Sequence, residues 1–289
     1  MFDFRYHALS LVAVFLALAI GILIGASLGD SLVNSAGKGI SANLHQDVVN
    51  ARNDARNANG QLHQRDQIIS SALPIVVQNE LSGQRVALVG MGSLPSGVEN
   101  EVRQTVEVAG GTVDSVSTFD VPGRLPDFEQ AAGGAGRLAR NNPTQVEAFA
   151  RRIAHSIVSG TGVAVKLHRS LPDVLRGDFS GVGSVVVYHS PPADNEDDAT
   201  KTLREAFEKG LAEGFTEQGV QTVGVEEQST DPSQIGWYKD HQMSSVDSVD
   251  LPGGQLALVF ALAGEKGAYG IKGTAEAPLP KLPIGAGGG

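Results

Sequence analysis

The sequence predicts an α/β protein: an N-terminal transmembrane helix, a coiled-coil helix, then a mostly parallel α/β sandwich domain. Three observations carry this. A charge-free run from Ala8 to Gly29 opens the chain, a polar stretch with heptad spacing follows, and Val-rich runs then alternate with amphipathic segments. The boundaries read as 1–29 for the anchor, 30–73 for the coiled-coil helix, 82–275 for the α/β domain and 276–289 for a disordered Pro/Gly-rich tail.

The opening run is long enough to cross a bilayer, since about 20 apolar helical residues span a core of roughly 30 Å. It exceeds the apolar region of a secretory signal, and no clear break follows it. An uncleaved anchor is the reading; a cleaved signal is the alternative. Arg5 in front, with Asp30 and then Lys38 behind, places the amino terminus in the cytoplasm and the bulk of the chain outside the cell membrane. Phe2, Phe4 and Tyr6, with His7, fall at headgroup level. Small residues recur at every fourth position, Ala13, Ala17, Gly21, Gly25 and Gly29, and so share a helix face on which a second backbone can approach closely.

From Asp30 to Ser71 there is no proline, and apolar or small residues recur at Leu44, Val48, Ala51, Ala55, Ala58, Leu62 and Ile69, with Arg65 interrupting. Alternating steps of four and three make a coiled-coil seam. Its central alanines bury little area, so it needs the anchor or a better partner helix. The implied assembly is a homodimer, or a coiled-coil heteromer with another membrane protein. The alternative is one amphipathic helix folding back on the globular domain. Pro74 ends or kinks this helix.

The stretch 83–120 reads as strand, helix, strand. Arg85 to Gly90 is a buried strand; Ser96 and Glu99 form a capping-box pattern; Val98, Val102, Val106 and Ala109 give the inner helix face; Thr112 to Phe119 is the second strand. Such a βαβ unit places its strands parallel. Thr144 and Glu147 cap another helix, running to about Ser159. "SVVVYHS" (184–190) and "VQTVGVEE" (220–227) are strands flanking a helix from Asp198 to Gln218, whose inner face holds Leu203, Phe207, Leu211 and Phe215. "QLALVFALA" (255–263) is ambiguous by periodicity, and its Leu and Ala content favours helix.

Composition removes several functions. A net charge of −10 argues against a nucleic-acid partner. Absence of cysteine removes disulfides, thiolate catalysis and zinc knuckles. The turn "GMGSLPSG" has the position of a dinucleotide loop but carries Pro95 at the third glycine, and reads as a tight βα turn. No G-x-S-x-G elbow is present, and the reading is non-enzymatic. The candidate metal ligands are His241 and Met243 in "DHQM", a donor pair that suits copper, and His189 at the carboxyl end of a strand. No cofactor is evident from these residues. The acids Asp194, Glu196, Asp197 and Asp198 suit a hard cation, or more simply a loop opening a helix.

"HALSLVAVFLALAIGILIG", the heptad segment, "GQRVALVG" and the ending "SSVDSVDLPGGQLALVFALAGEKGAYGIKGTAEAPLP" together resemble the actinobacterial MctB family, named for a mycobacterial copper transport protein. The resemblance covers nearly the whole chain. It implies copper as the ligand, and a single-pass envelope protein contributing to copper efflux or homeostasis. One member of that family is described as an outer-membrane channel. A related member, linked to cell separation, implies a different role: a non-catalytic coiled-coil adaptor that recruits a membrane partner controlling cell-wall hydrolysis.

Overall fold

The structure, a computed structural model, describes residues 4–134, 142–193 and 195–281, with the side chains of 4–6 and 27–43 excepted. Phe2, Asp194 and the tail from 282 onward, the side chains of Phe4, Arg5, Tyr6, Asp30 and Lys38, and the surroundings of Gly29 therefore lie outside what is described. The chain divides into two compact units, 1–65 and 66–289.

A single helix, α1 (Phe4–Val76), forms nearly all of the first unit and enters the second. Its stretch His7–Ala26 has a mean hydropathy of 2.7 and is long and apolar enough to cross a membrane. Leu9, Leu11, Phe15, Ile20 and Leu23 are all exposed there, and a β-carbon at Gly21 or Gly25 would meet nothing within 4 Å. Further along, the seam residues Leu44, Val48 and Leu62 are exposed, as are Ala51, Ala55 and Ala58 between them. Polar residues of the same stretch pair along the helix, as in Gln46 donating to Asn50 at 3.0 Å.

In the second unit the end of α1 is a packing element. Ile69 is half-buried, and Leu73, Val77 and Leu81 are buried at steps of four in the core on one side of the sheet. The helix continues through Pro74 to Val76 rather than stopping at it. Pro74 lies in the last turn, where little helix remains to be disrupted. Leu81 then donates its amide to Ala109 at 2.9 Å. Leu73 near the end of α1, with Val77 and Leu81 just beyond it, thus serves the core of the second unit.

The remaining elements are, in order, β1 (Arg85–Met91), α2 (Ser96–Val108), β2 (Thr112–Phe119), α3 (Leu125–Ala131), α4 (Pro143–Ser159), α5 (Val163–Ser170), β3 (Leu175–Gly177), β4 (Ser184–His189), α6 (Asp198–Glu217), β5 (Gln221–Val225), α7 (Ile235–Asp240), β6 (Ser244–Val246), α8 (Pro252–Leu262) and β7 (Ala268–Tyr269). The strands form one seven-stranded sheet in the order β3-β2-β1-β4-β5-β6-β7. All neighbours are parallel except β2 and β3. Register in the centre pairs Val86 with Val113 on one side and Ser184 on the other.

Helices cover both faces, which is why the central strands read as unbroken valine runs. Val185 and Val187 join the core under α3 to α6; Val186 joins the opposite core with α2, α8 and the end of α1. From β1 the chain moves outward to β2, and from β4 outward to β5, β6 and β7. The switch point thus lies between β1 and β4, where ligands gather outside the carboxyl ends of parallel strands.

Three local expectations change. Ser96 does not cap α2; Pro95 holds the cap position in extended conformation, Ser96 is the first helical residue, and Glu99 pairs with Arg103 and Arg176 instead. Helix α4 is capped by Asn142, whose side chain accepts from the Gln145 amide, with Pro143 at the first position; Glu147 pairs with Arg151 and Lys209. Residues 276–281, read from the sequence as the start of a disordered tail, pack on the sheet edge. Glu276 and Ala277 donate backbone amides to Ala268, and Pro280 is buried. The ambiguous stretch 255–263 lies in α8, buried from Leu256 to Leu262, as suits a helix that is apolar all round.

Candidate functional site

At the switch point, β1 ends in the turn that resembles a phosphate loop. Its glycines are taken up by packing. A β-carbon on Gly90 would lie 2.8 Å from that of Leu94, and one on Gly92 (φ +84°) 2.8 Å from that of Ser190. Ser93 and Ser190 hydroxyls meet at 3.3 Å across the gap. The turn closes on itself and on β4, in keeping with its reading as a tight βα turn.

The chemistry gathers one step further, at the end of β4. His189 is 3% exposed. Its Nδ1 lies 2.6 Å from Oε1 of Gln234, whose Nε2 donates to the Pro232 carbonyl at 2.6 Å. With the amide so oriented, Nδ1 of His189 is the protonated donor. The other ring nitrogen, Nε2, lies 3.2 Å from Oε2 of Glu208 on the inward face of α6 and, among the described residues, has no aligned hydrogen-bond partner. Glu208 also accepts from Arg204 at 2.7 Å, and Arg204 grips Glu196 through Nε and Nη2 at 3.0 and 2.8 Å. Burial opposes the charge on Arg204, yet its bonds to Glu196 and Glu208 outweigh that and hold its pKa above the usual arginine value.

Helix α7 supplies the facing wall. Trp237 stacks on His189 with ring centroids 4.2 Å apart and planes 6° from parallel, and on His241 at 4.1 Å and 30°. Nδ1 of His241 lies 2.8 Å from the Trp237 carbonyl, so it too is the protonated nitrogen. These groups line an open cleft of about 640 Å³. Beneath it, the Tyr238 hydroxyl donates to the Val225 carbonyl at 2.8 Å and accepts from the His189 amide at 2.9 Å. Burial pushes the phenol pKa far up, so it stays neutral.

The predicted ligand set is therefore divided. His189 and His241 share the cleft through Trp237. Met243 packs in the hydrophobic core with Tyr238 and Ile235 and does not line the cleft. Among the described residues no group of three or more His, Asp or Glu side chains converges as a closed metal site. Of the acidic loop, Glu196 is engaged by Arg204 and Asp197 caps α6, accepting from the amides of Ala199 and Thr200. Sequence reasoning missed Glu208, Gln234 and Trp237. The i,i+4 pair Arg204–Glu208 and the only tryptophan of the chain were the available signals.

The family model for the copper transport outer membrane protein MctB matches residues 1–280. The chain belongs to the MctB family. No curated protein matches it. Family membership makes it a copper-transport-related envelope protein, and the apolar helix at its N-terminus fits membrane anchoring.

In this chain the closing stretch that carried the resemblance builds a clasp behind the cleft. Asp247, fully buried at the end of β6, accepts from the amides of Ile271 and Lys272 at 2.8 Å each. Lys272 reaches Glu226 at 2.7 Å and the carbonyls of Glu227 and Thr230 at 2.9 and 2.8 Å. Glu226, fully buried, accepts from Ser233 at 2.8 Å and from the Gln234 amide. A chain of contacts thus runs from Lys272 through Glu226 and Gln234 to His189.

Proposed function

We propose that this member of the MctB family is a single-pass cell-membrane protein that contributes to copper efflux or tolerance, with its amino terminus in the cytoplasm and its α/β unit on the outer side. The observation that carries the reading is the family match over residues 1–280, joined to the apolar helix His7–Ala26. An open, mostly parallel sheet with separate edge strands differs from the closed antiparallel barrel of an outer-membrane pore. We therefore assign the copper role to binding or recruitment, with no catalytic step. The test is a deletion strain, scored for growth on copper and for cell copper content. Increased sensitivity restored by the intact gene is expected; unchanged sensitivity and content would sink the reading.

A second reading has its own observation. Leu44, Val48 and Leu62 are 58%, 44% and 53% exposed along α1 at heptad spacing. Such a stripe suits a homodimeric or heteromeric coil, and the reading is an adaptor that recruits a membrane partner controlling cell-wall hydrolysis. Ala51→Asp with Ala55→Asp places charge in the middle of that seam. Loss of crosslinked partner is expected, and full retention would remove the adaptor role.

A further inference from the structure

We propose that the acidic corner where α2 and α8 begin is a docking site for an arginine side chain carried by a partner protein. The inference depends neither on the copper reading nor on the seam of α1, and it lies on the other face of the sheet from the cleft beside Trp237.

Three carboxylates meet there from separate elements. Glu227, half-buried after β5, faces α2, where a β-carbon on Gly97 would lie 3.9 Å from its Oε1 and meet nothing closer. Asp250, exposed before α8, accepts from the Gln228 amide at 2.8 Å. Glu101 stands one turn beyond Gly97 on α2 and accepts from Gln255 of α8 at 2.6 Å. Among the described residues no cation pairs with any of the three. Other acids at this edge of the sheet do face one: Glu196 and Glu208 share Arg204, and Glu226 has Lys272. Lys272 gives its other two N–H groups to the carbonyls of Glu227 and Thr230, so none is left for the Glu227 carboxylate. The pKa of that carboxyl is accordingly held above its ordinary value of 4.5, first by burial and then by Asp250.

A second, independent observation points to a hydrogen-bonding ligand. Tyr188 stands in β4 between Gly90 and Val225, in the core covered by α2 and α8. It is 5% exposed, and its hydroxyl makes no hydrogen bond with the described residues. The hydroxyl is directed toward the same acids: after burial, the charges of Glu227 and Glu226 push the phenol pKa up. A buried hydroxyl is ordinarily satisfied, by protein, water or ligand.

The ligand must bring positive charge and several N–H groups. A compact metal ion does not suit the corner, because the acids sit on separate elements and no three converge as a ligating group among the described residues. A guanidinium stays charged and spreads five N–H donors over a plane, so it serves more than one carboxylate and the phenol oxygen together. A side chain on a protein fits better than free arginine, whose own carboxylate these acids repel. The net charge of −10 steers a basic segment toward the chain.

The experiment uses the full chain in detergent with 13C-labelled tyrosine, of which there are four. It is titrated with acetyl-Gly-Arg-Gly-amide and followed by NMR, with Tyr188→Phe assigning the Tyr188 signal. A saturable shift of that signal is expected. The citrulline peptide, which keeps the shape without the charge, and free L-arginine bind at least about tenfold more weakly, the scale of a charged hydrogen bond. Glu227→Gln weakens binding to a similar extent and leaves the melting temperature unchanged or higher, because it removes a charge that lacks a cation. A carboxylate that merely supported the start of α2 would lower the melting temperature when removed. Asp250→Asn, at an exposed position, weakens binding as well, while Glu205→Gln, paired with Lys201 on α6, leaves it unchanged. Absence of a saturable shift overturns the site, as does full binding or a lower melting temperature in Glu227→Gln. Equal binding of the citrulline or lysine peptide overturns the assignment to a guanidinium, and equal binding of free L-arginine overturns the assignment to a protein partner.

Discussion

The ring of Tyr238 lies directly against the bare α-carbon of Gly224, where any β-carbon would overlap the ring. This is why a glycine interrupts the valines of β5. The ring fills the space over the strand, and its hydroxyl ties the end of β5 to the amide of His189. Gly224→Ala forces the ring and α7 to move and is expected to lose about 1–3 kcal/mol, the usual scale of overpacking. Tyr238→Phe keeps the ring but strands a buried amide and carbonyl, for about 1–3 kcal/mol. Thermal unfolding of the two variants in detergent checks both. Wild-type melting in either would show that the contact does not hold the strand ends together.

A second prediction concerns Lys272, which reaches a fully buried carboxylate, Glu226. Lys272→Met leaves that charge without its cation, and removing one partner of a buried pair costs about 3–5 kcal/mol. Glu226→Gln added to Lys272→Met is expected to recover much of the loss, because the charge is then gone. Denaturant unfolding of the two single variants and the double gives the coupling. Simple additivity would contradict a direct pair.

These two relationships also show what the sequence makes legible. The βαβ unit was readable because its valines alternate with a clear helical face between two strands, and His189 was placed at a strand end by the same pattern. Glu208 was hidden because it sits one residue after Phe207 on a helix whose polar residues read as solvent-facing; only its pairing with Arg204 and proximity to His189 make burial tolerable. The capping boxes at Ser96 and Thr144 failed for a common reason: a neighbouring proline, Pro95 or Pro143, fixes the helix entry one or more residues away from the motif. Short elements such as β3, α7, β6 and β7 are too brief to show a period. The clasp made by Asp247 and Lys272 joins residues about 25 positions apart through backbone amides, which no side-chain pattern reports.

Acid should loosen the start of α6 before the core. The Asp197 carboxylate is held below its ordinary value of 3.8, chiefly by the Thr200 hydroxyl and then by the amides of Thr200 and Ala199. A group with a depressed folded pKa contributes stability above its unfolded value, and that contribution is lost as pH falls through the folded one. Hydrogen exchange of the amides at 199–201 is therefore expected to accelerate as pH is lowered below 3.8, after correction for the intrinsic pH dependence of exchange. Asp197→Ala should show weak protection already at neutral pH and lose this acid dependence. Retained protection in that variant would assign the helix start to packing instead.

The last prediction returns to the membrane face. Gly21 and Gly25 stand one turn apart on an apolar helix, each with open space where a side chain would be. Leucine at both positions keeps the hydropathy needed to insert, so any effect must come from shape. Where helices associate through small residues, two bulky ones hold the backbones apart and remove the close contacts that replace a hydrophobic driving force inside lipid. Gly21→Leu with Gly25→Leu is expected to lower association at least about tenfold, equivalent to ~1.4 kcal/mol, in crosslinking within membranes. Alanine at the same positions, still small, should preserve most of it. An equal loss with alanine and leucine would trace the effect to the helix itself, and no loss with either would leave association to the seam between Leu44 and Leu62.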